Sequence, residues 1–395
     1  MRRLHLVSAM YVSKGHSVEY IRNFCENLKS EYKITLHIAS SALVEEPEGI
    51  EVNYTGVNYK KTEAQNFVKF SKLGPYLRAL TKQRLSYNYY KQILSSRIDR
   101  DDLIYIMDYD VLPLTYFIQG LEKKGVKNIY LWVHNAKFKS KDLMYTGYKV
   151  IFKYFFNRKI INSIKGVVVN GDFIKESLLR NLSVSPEVIH KIQYPSKIQY
   201  DKIPKAKARE KLAIGLKENV VLFFGMLRKD KNLELAIQSI AKSKCNVKLI
   251  VAGSEASITK QDINRWVSKY ELKECILDID YISEEKMALY YSCSDLLILT
   301  YNLESGSQSG PLSLAREFEL PAVVTNTGEI GKYVSENNVG LVADLEGKGS
   351  FTKQIDCFFN LSEEKRAYFE NNLRKAKEKY SWESAKEKYL TLFNA

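Results

Sequence analysis

Short apolar runs alternate with stretches of helical period along the whole chain. Leu4–Met10, Lys33–Ala39, Leu103–Met107, Asn128–Val133 and Val167–Val169 read as strands of the first half, and Glu51–Val57 adds another. Where no polar residue alternates with the apolar ones, a strand is covered on both faces. Between these runs, Val18–Lys29 sets Ile21, Phe24, Cys25 and Leu28 on one helical face. A long, basic, tyrosine-rich helical region then runs through Arg100. The second half restarts at Val220–Phe224. It continues with a helix over Leu233–Lys242, a strand over Val247–Val251, a helix ending at Tyr270, and strands at Ile276–Ile279, Leu296–Thr300 and Ala322–Thr325. The charged tail Glu363–Phe393 reads as helix with a break near Ser381 and Trp382. Strand and helix in strict alternation predict doubly wound α/β domains, each a parallel sheet with helices on both faces. The polar, lysine-rich stretch Asp201–Lys217 divides the two halves.

The strand Leu296–Thr300 empties into Glu304-Ser305-Gly306-Ser307-Gln308-Ser309-Gly310, and Pro311 opens the next helix. Ser309 or Gly310 falls in the N-cap region, and proline near N1 loses no hydrogen bond. A loop at the carboxyl end of such a strand, followed by the free N–H groups of a helix start, suits an anion such as a diphosphate. An ordinary turn that binds nothing fits the same stretch when it is read alone.

Composition adds a partition. The net charge of +14 is concentrated in residues 1–200, which hold 31 Lys and Arg against 18 Asp and Glu. The remainder is nearly neutral, so the first half is the one expected to face an anionic partner. No apolar run approaches the ~20 residues of a membrane-spanning helix. Met1-Arg2-Arg3 precedes an apolar run too short for a signal peptide, and a first strand is expected there. The five cysteines are scattered without a C-x-x-C pair, as expected of a reducing cytoplasm without a disulfide framework or zinc site. Residues 137–165 carry Met144, Tyr148, Ile151 and Phe155 at helical spacing among lysines. A core helix with a solvated cationic face and an amphipathic helix on anionic lipid are both open.

The order of motifs resembles family 4 glycosyltransferases of the GT-B fold. Val221-Leu222-Phe223-Phe224-Gly225 with Met226 to Asn232 resembles the start of their nucleotide-binding domain, and Leu249-Ile250-Val251-Ala252-Gly253 its second strand. Tyr281-Ile282-Ser283, then Ser307-Gln308-Ser309-Gly310, then Leu320 to Gly328, Gly340-Leu341-Val342 and Ser381-Trp382 follow in order. The resemblance is good over about 218–345 and loose over the first 200 residues, where Gly15 and His134 stand out. Most of the family has two glutamates around the loop. Glu304 takes the place of the first, and the second falls at Leu314 or Ala315 and is absent. Glu317 reads as a solvated helix residue. The chain is closer to a bacterial surface-polysaccharide subgroup with a Ser-Gln-Ser-Gly loop.

The resemblance implies two Rossmann-like domains facing across a cleft. An acceptor-binding domain takes 1–200, a linker 201–217 and a nucleotide-sugar-binding domain 218–375, with the helix of 376–395 crossing back to the first domain. Arg228 and Lys231, three and six residues after Gly225, would neutralise the diphosphate, the one as a fork and the other as a point charge. A solvated Arg-Lys-Asp-Lys turn is their bland alternative. His134, at a strand end, would position the donor sugar, and Glu304 completes the expected catalytic set. Gly15, Gly225, Gly253, Ile282, Ser307, Gln308, Ser309, Gly310, Pro311 and Leu312 would line the donor. His16 could equally be a solvent-facing loop residue. Asp108-Tyr109-Asp110 and Asp278-Ile279-Asp280 imitate a D-x-D metal motif, but with cations and helix ends available no metal or other cofactor is expected.

The expected activity is retaining transfer of a sugar from a nucleotide sugar to a hydroxyl of a glycan, lipid-linked in surface-polysaccharide assembly. The expected location is the cytoplasm, peripheral to the inner face of the membrane through the basic half. Two rivals stay open. One is a catalytically dead, glycan- or partner-binding protein of the same fold. The other is a nucleic-acid binder, disfavoured because it leaves the phosphate-loop order in the neutral half unexplained.

Overall fold

The apolar runs become parallel strands, which the computed structural model gathers into two sheets. It describes residues 1–9, 16–39, 46–59, 74–107, 111–133, 154–182, 184–195, 202–302, 309–345, 347 and 350–395. The first sheet is built from β1 (Arg2–Ser8), β2 (Tyr32–Ile38), β3 (Glu51–Tyr54), β4 (Leu103–Ile106), β5 (Asn128–Val133), β6 (Gly166–Val169) and β7 (Ile189–Lys191), in the order β3-β2-β1-β4-β5-β6-β7. The second is built from β8 (Asn219–Phe224), β9 (Val247–Ala252), β10 (Cys275–Asp278), β11 (Leu296–Leu299), β12 (Ala322–Thr325) and β13 (Gly340–Ala343), in the order β10-β9-β8-β11-β12-β13. Neighbouring strands in both sheets pair in parallel. This is the expected α/β class of two doubly wound sheets.

The chain divides into two units, one of Met1–Pro195 with Trp382–Ala395 and the other of Ser196–Ser381. Each sheet has an apolar layer on both faces, as its unbroken apolar strands require. In the first unit one of these layers is completed by the last helix, Trp382–Asn394. Its Tyr389 hydroxyl lies 3.0 Å from that of Tyr105 and bonds that of Tyr20, while Tyr130 Oη donates to Leu392 O at 2.9 Å. Arg2 Nη1 reaches Phe393 O at 2.9 Å. The preceding helix, Glu363–Lys379, belongs to the second unit, and the break near Ser381 is where the chain changes unit.

The stretch 201–217, expected as a linker, is in part helix, Lys205–Lys211. Arg209 on that helix is buried, donates to Cys293 O at 3.0 Å and pairs with Asp295 at 2.8 Å. A guanidinium with fixed partners makes this segment part of the second unit, which lysine-rich composition alone conceals. Residues 137–153 of the aromatic, basic segment lie outside the described residues. Its end is a π-helical turn, Phe156–Ile160, with Phe156 and Ile160 buried in the core. No helix among the described residues is long and apolar enough to cross a membrane.

Candidate functional site

In the second sheet the strand order reverses between β8 and β11, which are hydrogen-bonded neighbours (Leu296 opposite Val221, Leu297 opposite Leu222). Connections from adjacent strands leave in opposite directions at such a point, opening a crevice at their carboxyl ends. Three segments of this unit meet there: the turn after β8, the residues ending β11, and the start of the Gly310–Glu317 helix.

β8 leaves the sheet at Gly225 (φ +97°), whose N–H donates to Ala252 O at 2.8 Å. A Cβ at this position would stand 2.8 Å from Lys231 Nζ and 3.4 Å from Pro311 Cγ. The glycine is therefore required by its backbone and by the crowding of an ammonium and a helix start onto one spot. Gly253, ending β9 with φ +153°, packs directly on it, and a Cβ there would run into the Gly225 carbonyl.

The next turn carries the cations. Arg228 is half exposed at the rim and grips Asp230 through Nε (3.0 Å) and Nη2 (2.8 Å). Lys231 ends a single 3-10 turn and is 6% exposed. Its Nζ has Phe224 O at 3.4 Å and makes no carboxylate contact among the described residues. Burial pulls its pKa down to about 8, helped by the Arg228 charge and opposed by Asp230. An ammonium held this dry, with no carboxylate in contact among the described residues, is costly, and an arriving anion would relieve the cost.

Residues 300–302, just past β11, tie the turn to the helix. Thr300 Oγ1 donates to Lys231 O and Asn232 O, both at 2.9 Å, and Asn302 N donates to Asp230 O at 2.9 Å. Between them Tyr301 is buried, its ring centroid 6.0 Å from Lys231 Nζ and its hydroxyl 3.0 Å from Ser309 Oγ. Ser309 is the N-cap of the Gly310–Glu317 helix, its Oγ accepting from Leu312 N at 3.4 Å, and proline occupies the first turn as expected. Tyr291 Oη donates to Pro311 O at 3.1 Å and fixes that turn from below.

Of the residues singled out in the sequence, Gly225, Gly253, Lys231, Ser309, Gly310 and Pro311 thus gather at one switch point, with Arg228 at its rim. Leu312 turns its side chain into the apolar core. Ile282 is half-buried against the same core, ahead of Ser283, which caps the Glu284–Cys293 helix. Gly15, His134, Glu304, Ser307 and Gln308 lie outside the described residues, as does Asp108–Asp110; His16 begins the helix His16–Leu28. Asp278 is engaged by Lys286 Nζ (2.9 Å) and Tyr290 Oη (2.7 Å), and Asp280 accepts from Tyr281 N at 2.6 Å. Among the described residues no group of three or more His, Cys, Asp or Glu is placed to hold a metal ion.

One reading is corrected. Glu317 is buried, not solvated, with Arg316 Nε at 3.5 Å and Lys377 Nζ at 3.7 Å. It sits at the far end of the helix from the N-cap, facing the Glu363–Lys379 helix. Sequence reasoning missed Tyr301 altogether. The only signal was a tyrosine directly after a buried strand, in a loop otherwise made of small and polar residues.

The family model described as Glycosyl transferases group 1 matches residues 204–376. No curated protein matches the chain. Among solved structures, sucrose-phosphate synthase from Thermosynechococcus elongatus is 14% identical, with 100% of this chain and 98% of that one covered at a TM-score of 0.73. Alr3699/HepE of Anabaena, solved with UDP and glucose, is 13% identical over 100% of both chains at 0.70. WaaG, a glycosyltransferase involved in lipopolysaccharide biosynthesis, is 14% identical over 99% of both chains at 0.69. The chain therefore has the two-domain α/β fold of GT-B glycosyltransferases, and its residues 204–376 match the glycosyl transferases of group 1.

Proposed function

We propose that the protein is a retaining glycosyltransferase that moves a sugar from a nucleoside diphosphate to a hydroxyl of a glycan acceptor. One observation carries this reading: a buried ammonium, Lys231, without a carboxylate partner among the described residues, facing a glycine that also abuts a capped helix start. Buried positive charge and convergent N–H groups at a switch point form a receptor for a diphosphate. The family match over 204–376 and the UDP-bound structural neighbour support a nucleotide sugar as the source of that diphosphate.

In this reading Lys231 and the amide of Gly310 hold the diphosphate, and Arg228 swings from Asp230 onto it. Charge develops on the departing phosphate oxygen as the anomeric carbon–oxygen bond breaks, and these groups stabilise it. The acceptor hydroxyl attacks the same face of the sugar and its proton passes to the departing oxygen. No side-chain nucleophile is required, and positive charge comes from the protein without a metal. By the family resemblance His134 would orient the sugar, and Glu304, Ser307 and Gln308 would contact the donor. The acceptor is assigned to the first unit, whose half of the chain carries the charge excess; its helix Gly74–Ser95 has Arg78, Lys82, Arg84 and Lys91 and no acid. That charge, with WaaG among the neighbours, favours a lipid-linked glycan of a bacterial surface polysaccharide at the inner face of the cytoplasmic membrane.

The test is a thermal-shift screen of UDP-, GDP- and dTDP-sugars followed by turnover of the one that binds. Replacing Lys231 or Arg228 by alanine should abolish transfer; unchanged rates would sink the reading. Binding without any turnover in the parent protein would instead support an inactive, glycan- or partner-binding member of the fold.

A further inference from the structure

Tyr301 is a buried phenol placed between two parts of the candidate site, the cationic turn and the capped helix start. Its neighbours hold one side. Thr300 and Asn302 fasten the backbone of the cationic turn, at Lys231, Asn232 and Asp230. Its ring faces the Lys231 ammonium at 6.0 Å, within the range where the negative face of an aromatic ring attracts a cation. Its hydroxyl reaches the other side, Ser309 Oγ at 3.0 Å, and that oxygen caps the helix through Leu312 N. Both groups therefore refer their positions to one rigid side chain. The Gly225 geometry shows why this matters, since the ammonium and Pro311 close on the same glycine from two directions.

We propose that Tyr301 is a positioning residue of this site: it registers the Lys231 ammonium against the capped end of the Gly310–Glu317 helix, so that both meet one diphosphate. The proposal rests on the diphosphate reading above. Among the described residues, the charged and titratable groups acting on Lys231 are Arg228 and Asp230 on its own turn, and Tyr301 just past β11. Burial pushes the Tyr301 phenol up to about 12, so the hydroxyl is neutral throughout the working range and keeps its hydrogen bond.

The experiment uses the full chain with two substitutions that separate ring from hydroxyl. Tyr301→Phe keeps the ring and removes the bond to Ser309. Tyr301→Leu removes both. Binding of UDP and of inorganic pyrophosphate is measured by calorimetry, and the titration of Lys231 Nζ is followed by NMR in lysine-labelled protein. We expect Tyr301→Phe to weaken UDP by about 5–10-fold, the worth of one hydrogen bond, and to leave the Lys231 titration in place. Ser309→Ala should cost less in the Tyr301→Phe background than in the parent protein, because the link between the two hydroxyls is already gone and only the helix cap remains to be lost. Tyr301→Leu should move the Lys231 titration to lower pH, an effect that a purely structural phenol would not produce. Unchanged UDP affinity in Tyr301→Phe, or additive losses with Ser309→Ala, overturns the proposal. If the parent protein binds neither UDP nor pyrophosphate, the diphosphate reading falls. The Lys231 titration then decides on Tyr301 alone, and an unshifted titration in Tyr301→Leu overturns its positioning role.

Discussion

Lys231 spends folding free energy for which its surroundings give little return. A folded-state pKa of about 8 against 10.5 for an ordinary lysine corresponds to about 3 kcal/mol of penalty on the charged form at neutral pH. Substituting Lys231→Met should therefore leave the melting temperature unchanged or raise it while diphosphate affinity falls at least about 10-fold. A melt several degrees lower would show the ammonium to be structural. The sign with pH follows from the same shift. Between about 8 and 10.5 the unfolded chain holds a proton that the folded chain has released, so stability rises with pH across that window. Diphosphate affinity moves oppositely, fading above about pH 8 as the ammonium empties, and calorimetry across pH 7–9.5 checks it. Glu317 is the converse case. Its carboxylate is buried against Arg316 and Lys377, and Glu317→Ala should cost about 3–5 kcal/mol in urea unfolding by removing the carboxylate beside the buried Arg316 charge. The spacing of Arg228 and Lys231 after a glycine was legible because the strand end and turn are written in local residue types. The burial of Lys231 and Glu317 was not. Both depend on helices and turns that arrive from distant sequence, and charged residues are exposed unless such neighbours cover them.

Elements show the same division between local and remote information. The helix Gly310–Glu317 announced itself, with a serine cap, a proline in the first turn and a stop before Pro321. The sheet positions around β1 hid a different device. Asn53 Nδ2, His37, His5 and Asp102 form a buried line of hydrogen bonds across β3, β2, β1 and the start of β4, with contacts of 2.9, 2.8 and 3.1 Å. With the Asn53 amide nitrogen toward His37 Nδ1, the line is satisfied by one arrangement of protons. Asn53 donates to His37 Nδ1, His37 Nε2–H to His5 Nδ1, and His5 Nε2–H to the Asp102 carboxylate. Both imidazoles are then neutral, and a further proton on either His5 Nδ1 or His37 Nδ1 sets donor against donor. Burial accordingly pulls His37 down to about 3, with His5 adding to it, and lowers His5 against the opposing pull of Asp102. Above the unfolded pKa of about 6.5 neither state is charged and the line contributes fully. As pH falls from 6.5 toward 3 the unfolded chain takes up protons that the folded one refuses, and stability is lost across that window. Denaturant unfolding at pH 7, 5.5 and 4.5 should show the first unit weakening by about 1–3 kcal/mol, and His37→Asn should flatten the slope. Identical slopes in parent and variant would remove the line from the account. Nothing in the sequence flagged it, because its four members come from four separate segments joined only by strand order.

At the level of the whole molecule, the last helix ties the end of the chain to the unit that contains its beginning. Trp382, Ala385, Tyr389, Leu392 and Phe393 are buried in the first unit, where Tyr20 stacks on Trp132 at 4.7 Å and meets Trp382 at 5.2 Å. Burying these side chains is worth on the order of 10 kcal/mol, comparable to the whole stability of an ordinary domain. The residues read as a charged helical segment and the family resemblance implied that it crosses back to the first domain, but the layer it covers was not legible locally, since β1, β4 and β5 lie far back in the chain. The second unit's own apolar layers include the Ser350–Phe359 and Glu363–Lys379 helices. A chain ending at Ser381 should thus lose the cooperative unfolding of the first unit and expose its aromatic layer, seen as dye binding and aggregation. Residues 196–381 expressed alone should fold, unfold in one transition and still bind UDP, since Arg228, Lys231 and Gly310, the proposed diphosphate ligands, all lie within them. If the chain ending at Ser381 melts like the full protein, the helix is an accessory and the aromatic layer is held by other means. If residues 196–381 fold but ignore UDP, the diphosphate receptor requires more than the turn after β8, the end of β11 and the capped helix can supply.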